Sequence, residues 1–366
     1  MKTPLFLLLQ IGLDIRSIED VDFALFQKLT SNNWIELRDT AECQGASAIV
    51  FDGICKIVEK FGREKIAPHL DLLWWQNFIL EWTGLSLQVE QANYHQKEVT
   101  KELASEWAAK GCRIMVMKGQ ANGLFYPKPK HRATGDVDCY LFDNYSKGND
   151  IARSLGAEVN EEWYKHSEIR YEGEVFENHQ YFVHTRGGAK SKMLEKELEE
   201  QLRIEQWKSF PDCDQVMVPP AQWNAMFLTY HACAHFLSEG LHLKQLLDWA
   251  MFLKVEQDDV NWVEFYDFCD RYNFRRFVDA VTDISVAYLG VNITNPQIVI
   301  KSDYSDKVFN SIFERDQDIK RTGGWCERYQ IIKHLFKNKW KYDEIYQQSI
   351  WKQLWMYAKG YVTKAE

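Results

Sequence analysis

The stretch MVMKGQANGLFYPKPKHRATGDVDCYLF, residues 115–142, contains the features that decide the fold. An apolar run ends at Lys118, a turn-rich segment follows, and a second apolar run begins with Asp136 and Asp138. Alternate residues of a strand share a face, so these two carboxylates are expected on one face and Val137 on the other. The stretch therefore predicts two short strands that present paired acids beside a lysine.

The repulsion between Asp136 and Asp138 must be offset. Two carboxylates a few ångströms apart repel by roughly 3 kcal/mol at an effective dielectric constant near 20. A shared proton would reduce that repulsion, and so would a divalent cation, since Mg²⁺ binds through one or two carboxylates together with phosphate oxygens. The same D-x-D pattern also occurs by chance at the solvated end of a strand. Neighbouring Lys118, Arg132 and Gly135 favour the cation, because cations and a glycine turn beside paired acids suit a metal-bound triphosphate.

A third carboxylate is available further along the chain. In EVFENHQYF, residues 174–182, Glu177 and His179 alternate with Phe176 and Asn178, so each pair shares one strand face. Glu177 can therefore complete a cradle of three carboxylates around a cation. A glutamate that pairs across strands with a surface cation would produce the same pattern.

Composition and charge limit the classes of protein to which the chain can belong. The 366 residues are 46% hydrophobic and 14% aromatic, which is enough apolar material for a large folded core. The net charge is −9, and a negatively charged protein does not attract the negatively charged phosphate backbone. The sequence therefore predicts no nucleic-acid partner. The eight cysteines contain no C-x-x-C pair and are expected to be reduced thiols.

The N-terminal segment MKTPLFLLLQIGLDIRS is expected to form the first helix rather than a signal peptide. Asp14 and Arg16 follow its apolar run directly, without a small-residue cleavage site. No apolar stretch reaches the length of about 20 residues that spans a bilayer. The sequence therefore predicts a cytoplasmic protein with no membrane partner.

Hydrophobic periodicity divides the chain into three regions. Residues 1–95 show helical spacing, residues 96–188 combine helices with strands, and residues 189–366 are mostly helical again. In the middle region, EWYKHSEIRY and EVFENHQYFV flank Glu172-Gly173, which predicts a β-hairpin with a tight turn. The predicted fold class is α+β, with a small mixed β-sheet core flanked by N- and C-terminal helical regions.

These motifs resemble the uncharacterised nucleotidyltransferase family of the polymerase-β-like nucleotidyltransferase superfamily. The family pattern L-K-G-x-x-L…Y-x-x-P-x-x-R-x-x-G-D-[IV]-D-L-L-V is similar to MKGQANGLFYPKPKHRATGDVDCYLF. A second block, K-H…E-[IL]-H-W, is similar to YKHSEIRYEGEVFENHQYF, and a third, H-x-x-x-H…L-x-D-[IL]-A, to HACAHFLSEGLHLKQLLDWA. The resemblance extends over about residues 30–260. The departures from the family pattern, none at a metal ligand, are Gln120, Cys139, Asn178 and Gln180.

The resemblance implies transfer of a nucleotide from an NTP to an unidentified acceptor hydroxyl, with release of pyrophosphate. It implies Mg²⁺ as the cofactor, with two ions and with Mn²⁺ as a possible substitute. The catalytic residues and metal ligands that it implies are Asp136, Asp138 and Glu177. The nucleotide-binding residues that it implies are Lys118, Gly119, Gln120 and Arg132.

Four histidines are candidate cleft residues. His231 and His235 are four residues apart and share a helix face, a spacing that can also bind zinc. The glutamate of a zinc-protease motif is missing between them, so the sequence favours core or cleft-lining histidines. His166 and His179 are expected to support the metal ligands or to face the acceptor. Asp248 is a candidate partner for a buried histidine or lysine.

Two other functions would use the same residues. A catalytically inactive module of this fold would bind a nucleotide or a partner protein without turnover, although it would not need three converging acids. A metal-dependent phosphohydrolase would share the ligands but release inorganic phosphate or a nucleoside monophosphate without an acceptor. The three converging acids favour the nucleotidyltransferase.

Overall fold

A seven-stranded mixed β-sheet lies at the centre of the structure, a computed structural model that describes residues 2–204, 207–314, 333 and 336–352. The strands are β1 (Ile114–Val116), β2 (Val137–Tyr140), β3 (Glu158–Asn160), β4 (His166–Tyr171), β5 (Glu174–His179), β6 (Lys208–Phe210) and β7 (Cys213–Val218). Their order is β3-β4-β5-β2-β1-β7-β6. The β2–β5 and β1–β7 pairs are parallel and the others antiparallel. The predicted α+β class is confirmed.

Helices surround this sheet. The α-helices up to residue 314 are α1 (Lys2–Gly12), α2 (Ser31–Cys43), α3 (Ser47–Phe61), α4 (Leu72–Ala109), α5 (Gln120–Gly123), α6 (Tyr145–Ser154), α7 (Ala189–Ile204), α8 (Ala221–Ser238), α9 (Leu243–Glu256), α10 (Trp262–Arg271), α11 (Arg275–Ala287) and α12 (Ser305–Ile312). Short 3₁₀ helices lie at Ile18–Asp20, Phe23–Lys28, Arg63–Lys65, Pro129–His131, Phe142–Asn144 and Thr185–Gly187, and a π-helical turn at Lys341–Ile345. Among the described residues, no helix combines the length and the apolar character needed to cross a bilayer.

The two faces of the sheet differ in chemistry. Val137, Cys139 and Phe176 are buried in one hydrophobic cluster with residues of α4 and α6. Asp138 and Glu177 alternate with them along β2 and β5 and therefore point to the opposite face. The alternation predicted for these strands is confirmed. The apolar face anchors the sheet, and the opposite face is left to carry polar groups.

The N- and C-terminal helices share a single hydrophobic core. Buried residues of α1, α2 and α3 belong to the same cluster as buried residues of α8, α9 and α11. The rings of Phe6 in α1 and Phe309 in α12 are 5.2 Å apart. The backbone N–H of Leu243 in α9 donates to the Gln44 side chain at 2.7 Å. The two helical regions that the sequence separates are therefore packed against each other.

Two parts of the fold differ from the sequence prediction. Helix α4 runs continuously from Leu72 to Ala109, across the predicted boundary after residue 95. The sheet also extends beyond residue 188, because β6 and β7 lie in the region predicted to be mostly helical. β7 joins the sheet by parallel pairing with β1, with Ile114 opposite Val216. Such a distant contact leaves no periodic signal in a six-residue segment.

α1, predicted as the first helix, crosses α3 so closely that a side chain has no room at either contact. A Cβ at Gly12 would lie 2.1 Å from the carbonyl oxygen of Ile49, and a Cβ at Gly53 would lie 2.2 Å from that of Leu8. We expect Gly53→Ala to lower the free energy of unfolding by about 1–3 kcal/mol, because the helix backbones must move apart. Urea denaturation measures this change.

Gly84→Ala in α4 is the matched control for that substitution. No atom of the residues that the structure describes lies within 4 Å of a Cβ at Gly84. An alanine there should raise the free energy of unfolding by about 0.5–1 kcal/mol, because alanine is the better helix former. Destabilisation of similar size in both variants would contradict the close crossing of α1 and α3.

Candidate active site

Pairing of β2 with β5 brings Asp138 directly opposite Glu177. The same parallel register aligns Tyr140 with His179. Asp136 immediately precedes β2 and is close enough to both acids for their charges to shift its pKa. Asp138 is buried, Glu177 is half-buried and Asp136 is exposed. Asp138 and Glu177 are therefore neighbours on adjacent strands, and the exposed Asp136 lies within range of their charges.

Lys118 links the carboxylates to helix α8. Its Nζ lies 2.7 Å from Asp138 Oδ1 and 2.7 Å from His231 Nε2. Burial alone would raise the pKa of Asp138, but the Lys118 ammonium and the hydrogen bond with His179 outweigh it and hold that pKa well below its usual range. Asp138 is therefore an ionised carboxylate with a lysine partner.

Asp136 is in a different electrostatic environment. Burial raises its pKa, and repulsion from Glu177 and Asp138 raises it further, while Lys118 acts in the opposite direction. Among the described residues, Lys118 pairs with Asp138 but makes no ion pair with Asp136 or Glu177. Negative charge on this face thus exceeds what the nearest lysine neutralises. Carboxylate oxygens with unbalanced charge fit the ligand preference of Mg²⁺.

Two of the predicted cleft histidines adjoin Glu177. His179 Nε2 lies 3.3 Å from Glu177 Oε2 and 3.2 Å from Asp138 Oδ1. His166 Nε2 lies 3.5 Å from Glu177 Oε1. His166, Glu177 and His179 each offer one potential metal-ligand atom, and these three atoms lie within 4.8 Å of one another. Within the described residues they form a compact group that could hold a metal ion.

The other two histidines come from α8. Burial and the nearby Lys118 charge lower the pKa of His231 well below its usual range, so a neutral imidazole accepts the hydrogen bond of Lys118. The ring of His235 is 4.5 Å from that of His231, and its Nδ1 lies 3.2 Å from Glu239 Oε2. His231 thus reaches the carboxylates through Lys118, whereas His235 lies one helical turn away.

Arg132 forms a buried ion pair rather than facing open solvent. Its Nε donates to Asp248 Oδ1 at 2.7 Å and its Nη2 to Oδ2 at 2.6 Å, while the Tyr126 hydroxyl donates to Oδ1 at 2.7 Å. The sequence predicted a histidine or lysine as the partner of Asp248, and this was wrong, because α9 packs Asp248 against the arginine. Arg132 Nη1 lies 4.0 Å from where a Cβ of Gly119 would be, so the guanidinium lies beside this turn. Its contact with phosphate remains a prediction.

The turn after β1 is held by Gly119 and Gln120. Gly119 has φ +57°, a conformation that favours glycine. The Gln120 side chain donates to Gln96 Oε1 at 3.2 Å, and Gln96 donates to the Gly135 carbonyl at 2.7 Å. These bonds connect the turn to α4 and to the residue before Asp136. The roles of Gly119 and Gln120 in nucleotide binding remain predictions.

Lys165 is a site residue to which the sequence assigned no role. It immediately precedes β4. Burial lowers its pKa and the charge of Lys118 lowers it further, whereas the carboxylates of Asp138 and Glu177 act in the opposite direction. Its ammonium makes no hydrogen bond or ion pair with the described residues. Lys165 lies in YKHSEIRYEGEVFENHQYF, the second block that resembles the family pattern, and this position could have identified it as a site residue.

Lys244 is a second such residue, in the first turn of α9. Its Nζ lies 3.7 Å from where a Cβ of Gly135 would be, directly before Asp136. Burial lowers its pKa, and the nearby charge of Arg132 lowers it further. Within the described ranges its ammonium also has no hydrogen bond or ion pair. Lys244 precedes Asp248 by one helical turn, and this spacing on one helix face could have identified it.

Comparison with known families identifies the class of protein. Residues 30–290 match the model of a family described as uncharacterised nucleotidyltransferase, and the chain belongs to that family. The matched segment includes the sheet, α8 and α9, so it contains every site residue described above. The resemblance seen in the sequence is confirmed. Comparisons with curated proteins and with solved structures give no match.

Proposed function

We propose that this protein is a Mg²⁺-dependent nucleotidyltransferase that moves an NMP from an NTP to a hydroxyl acceptor, a small molecule or a protein. The observation that carries the proposal is the parallel register of β2 and β5, which sets Asp138 opposite Glu177 with Asp136 beside them. Membership of the family supports the same chemistry. Ligands on neighbouring strands are held rigidly, which a metal site requires.

The three acids have different roles in the proposed reaction. Asp136 and Asp138 would hold Mg²⁺, which when bound neutralises triphosphate charge and stabilises the charge that develops at the α-phosphate. Burial alone would raise the pKa of Glu177, but hydrogen bonding from His179 outweighs it and lowers that pKa, so the carboxylate is ionised. Glu177 can then accept the proton of the acceptor hydroxyl as its oxygen attacks the α-phosphorus. The bond from the α-phosphorus to the bridging oxygen breaks, and pyrophosphate leaves with the electron pair.

The unpaired lysines support a polyphosphate substrate. Lys165 and Lys244 are half-buried, and neither ammonium has an anionic partner among the described residues. Burying a charge without a partner is unfavourable, so an anion that enters the site gains from both lysines. A triphosphate supplies several negative oxygens within a short length. We therefore assign Lys165 and Lys244 to the polyphosphate.

Replacing Lys165 or Lys244 by alanine should raise the KM for the NTP by about tenfold in each case. A hydrogen bond to a charged group contributes about 1.5–3 kcal/mol, and about 1.4 kcal/mol corresponds to a factor of ten. Steady-state kinetics measures the KM. Lys196→Ala is the control, because Lys196 lies on α7 with its side chain 75% exposed. An unchanged KM in both site variants would contradict the assignment.

The activity is tested with NTPs labelled at the α-phosphate. The purified chain is incubated with Mg²⁺ and each NTP, alone and with a fractionated cell extract. We expect label on an acceptor and an equal amount of pyrophosphate. Asp138→Asn should lose both products, whereas Asp143→Asn should keep them, because Asp143 is an exposed residue just beyond the same strand.

Two results would contradict nucleotidyl transfer. Binding of an NTP that requires Mg²⁺, without any labelled acceptor or pyrophosphate, would identify the chain as a nucleotide-binding module. Release of inorganic phosphate or nucleoside monophosphate without an acceptor would identify a phosphohydrolase. Both results are read from the same reaction mixtures.

A further inference from the structure

A nitrogen-rich ligand set adjoins the three acids. Its members are His166 on β4 and Glu177 and His179 on β5. The antiparallel register of these strands places His166 opposite His179, and their rings are 5.2 Å apart. Imidazole nitrogens are preferred ligands of transition metals such as Zn²⁺, whereas Mg²⁺ prefers oxygen ligands. The chemistry of this set is therefore distinct from that of Asp136 and Asp138.

The hydrogen bonding of His179 shows which of its nitrogens is available. The ring is fully buried, and Nδ1 lies 3.1 Å from the carbonyl oxygen of Tyr181. A carbonyl oxygen can only accept, so Nδ1 carries a proton. Nε2 is then the nitrogen that faces the carboxylate oxygens of Asp138 and Glu177, at 3.2 and 3.3 Å. It can donate a hydrogen bond to them when it carries a proton, and it can bind a cation when it does not.

His166 offers a second nitrogen to the same site. Among the described residues, its buried Nδ1 has no hydrogen-bond partner. Its Nε2 is 3.5 Å from Glu177 Oε1, longer than a well-formed hydrogen bond. A cation bound at Nε2 would replace this long contact with Glu177 by a bond to the ring.

We propose that His166, Glu177 and His179 bind a divalent transition-metal ion of the class represented by Zn²⁺. Two imidazoles and one carboxylate form the protein ligand set of open zinc sites, which keep a position free for water or substrate. The bond from His179 Nδ1 to the Tyr181 carbonyl matches the way in which metal-binding histidines are oriented by a partner on the other nitrogen.

The ion would differ in kind from the one at Asp136 and Asp138. Glu177 belongs to both groups, so the transition metal would lie beside the Mg²⁺ of the proposed reaction. Its role in nucleotidyl transfer rests on the proposed function, whereas its binding does not. Binding is therefore tested without any nucleotide.

The experiment measures metal binding to the full chain. The chain is stripped with a chelator and dialysed against Zn²⁺ in a large excess of Mg²⁺, and the bound metal is quantified. The exposed thiols of Cys43 and Cys55 are first replaced by serine, so that they do not bind Zn²⁺. We expect one tightly bound ion per chain that Mg²⁺ does not displace. The visible spectrum of the Co²⁺-loaded chain should show nitrogen and oxygen ligands without thiolate.

Variants locate the ion. His166→Ala and His179→Ala should each weaken binding by at least about tenfold, and His242→Ala should leave it unchanged, because His242 lies at the start of α9 outside the ligand set. Thermal unfolding of the metal-free variants checks that they fold. Binding that the two variants leave intact, or that Mg²⁺ displaces fully, would overturn the proposal. So would nitrogen chemical shifts showing a doubly protonated His179 ring at neutral pH in metal-supplied protein.

Nucleotide labelling separates this proposal from the proposed function. Transfer with Mg²⁺ alone, in a chain that binds no transition metal, would overturn the metal proposal and leave nucleotidyl transfer standing. The opposite result is also informative. If the wild-type chain binds one ion that the histidine variants lose, but transfers no label, the metal site is supported and nucleotidyl transfer is contradicted. The two failures therefore give different results.

Discussion

Replacing Asp138 by asparagine should lower kcat/KM for nucleotidyl transfer by about a thousandfold. Asp138 is the most buried of the three acids, and Lys118 and His179 hold it in its ionised form. Asparagine keeps the shape but removes the negative charge that would hold Mg²⁺. Metal stabilisation of the transition state contributes several kcal/mol, and about 1.4 kcal/mol corresponds to a factor of ten.

The Asp138 prediction is checked by steady-state kinetics against Asp143→Asn, which should retain wild-type activity. Urea denaturation of Asp138→Asn is measured in parallel, because Lys118 loses its carboxylate partner at 2.7 Å. A folded Asp138→Asn protein with more than about a tenth of wild-type activity would contradict a metal-ligand role for this residue.

Replacing Asp248 by asparagine should lower the free energy of unfolding by about 3–5 kcal/mol. Arg132 and Asp248 are 6% and 3% exposed and form two hydrogen bonds with each other. An amide leaves the guanidinium buried without a counter-charge, and breaking a buried pair by removing one partner costs about that amount. The Tyr126 hydroxyl loses its acceptor as well. Urea denaturation measures the change.

Two variants make the Asp248 prediction specific. Asp150→Asn removes the acid of an exposed arginine pair at 2.9 Å and should change stability far less. The double variant Arg132→Leu/Asp248→Leu should recover much of the lost stability, since apolar residues can replace a buried pair. Equal destabilisation in Asp150→Asn and Asp248→Asn would show that burial of the pair is not the cause.

The strand chemistry of the site could be predicted from the sequence. Alternation along a strand is a property of the backbone itself, so Asp138 and Val137 had to lie on opposite faces once β2 formed. The hairpin turn was equally local, and Glu172 and Gly173 both have positive φ in the structure. The motif around Asp136 and Asp138 was specific enough to indicate the family.

The partners of these residues could not be predicted from the sequence. Lys118 contacts His231 across 113 positions of the chain, and Arg132 contacts Asp248 across 116. Which cation meets which acceptor depends on how α8 and α9 pack against the sheet, and packing is set by many distant apolar contacts together. The role given to Asp248 was wrong in its partner for this reason.

The sequence by itself determined the local periods, the hairpin turn and the acids on their strand faces, because those follow from backbone geometry over a few residues. The tertiary structure alone decided three things. It placed Glu177 opposite Asp138 through the β2–β5 register, brought Lys165 and Lys244 near the acids, and joined the N- and C-terminal helices in one core. Contacts between distant segments depend on the packing of the whole chain, and no short stretch of sequence records them.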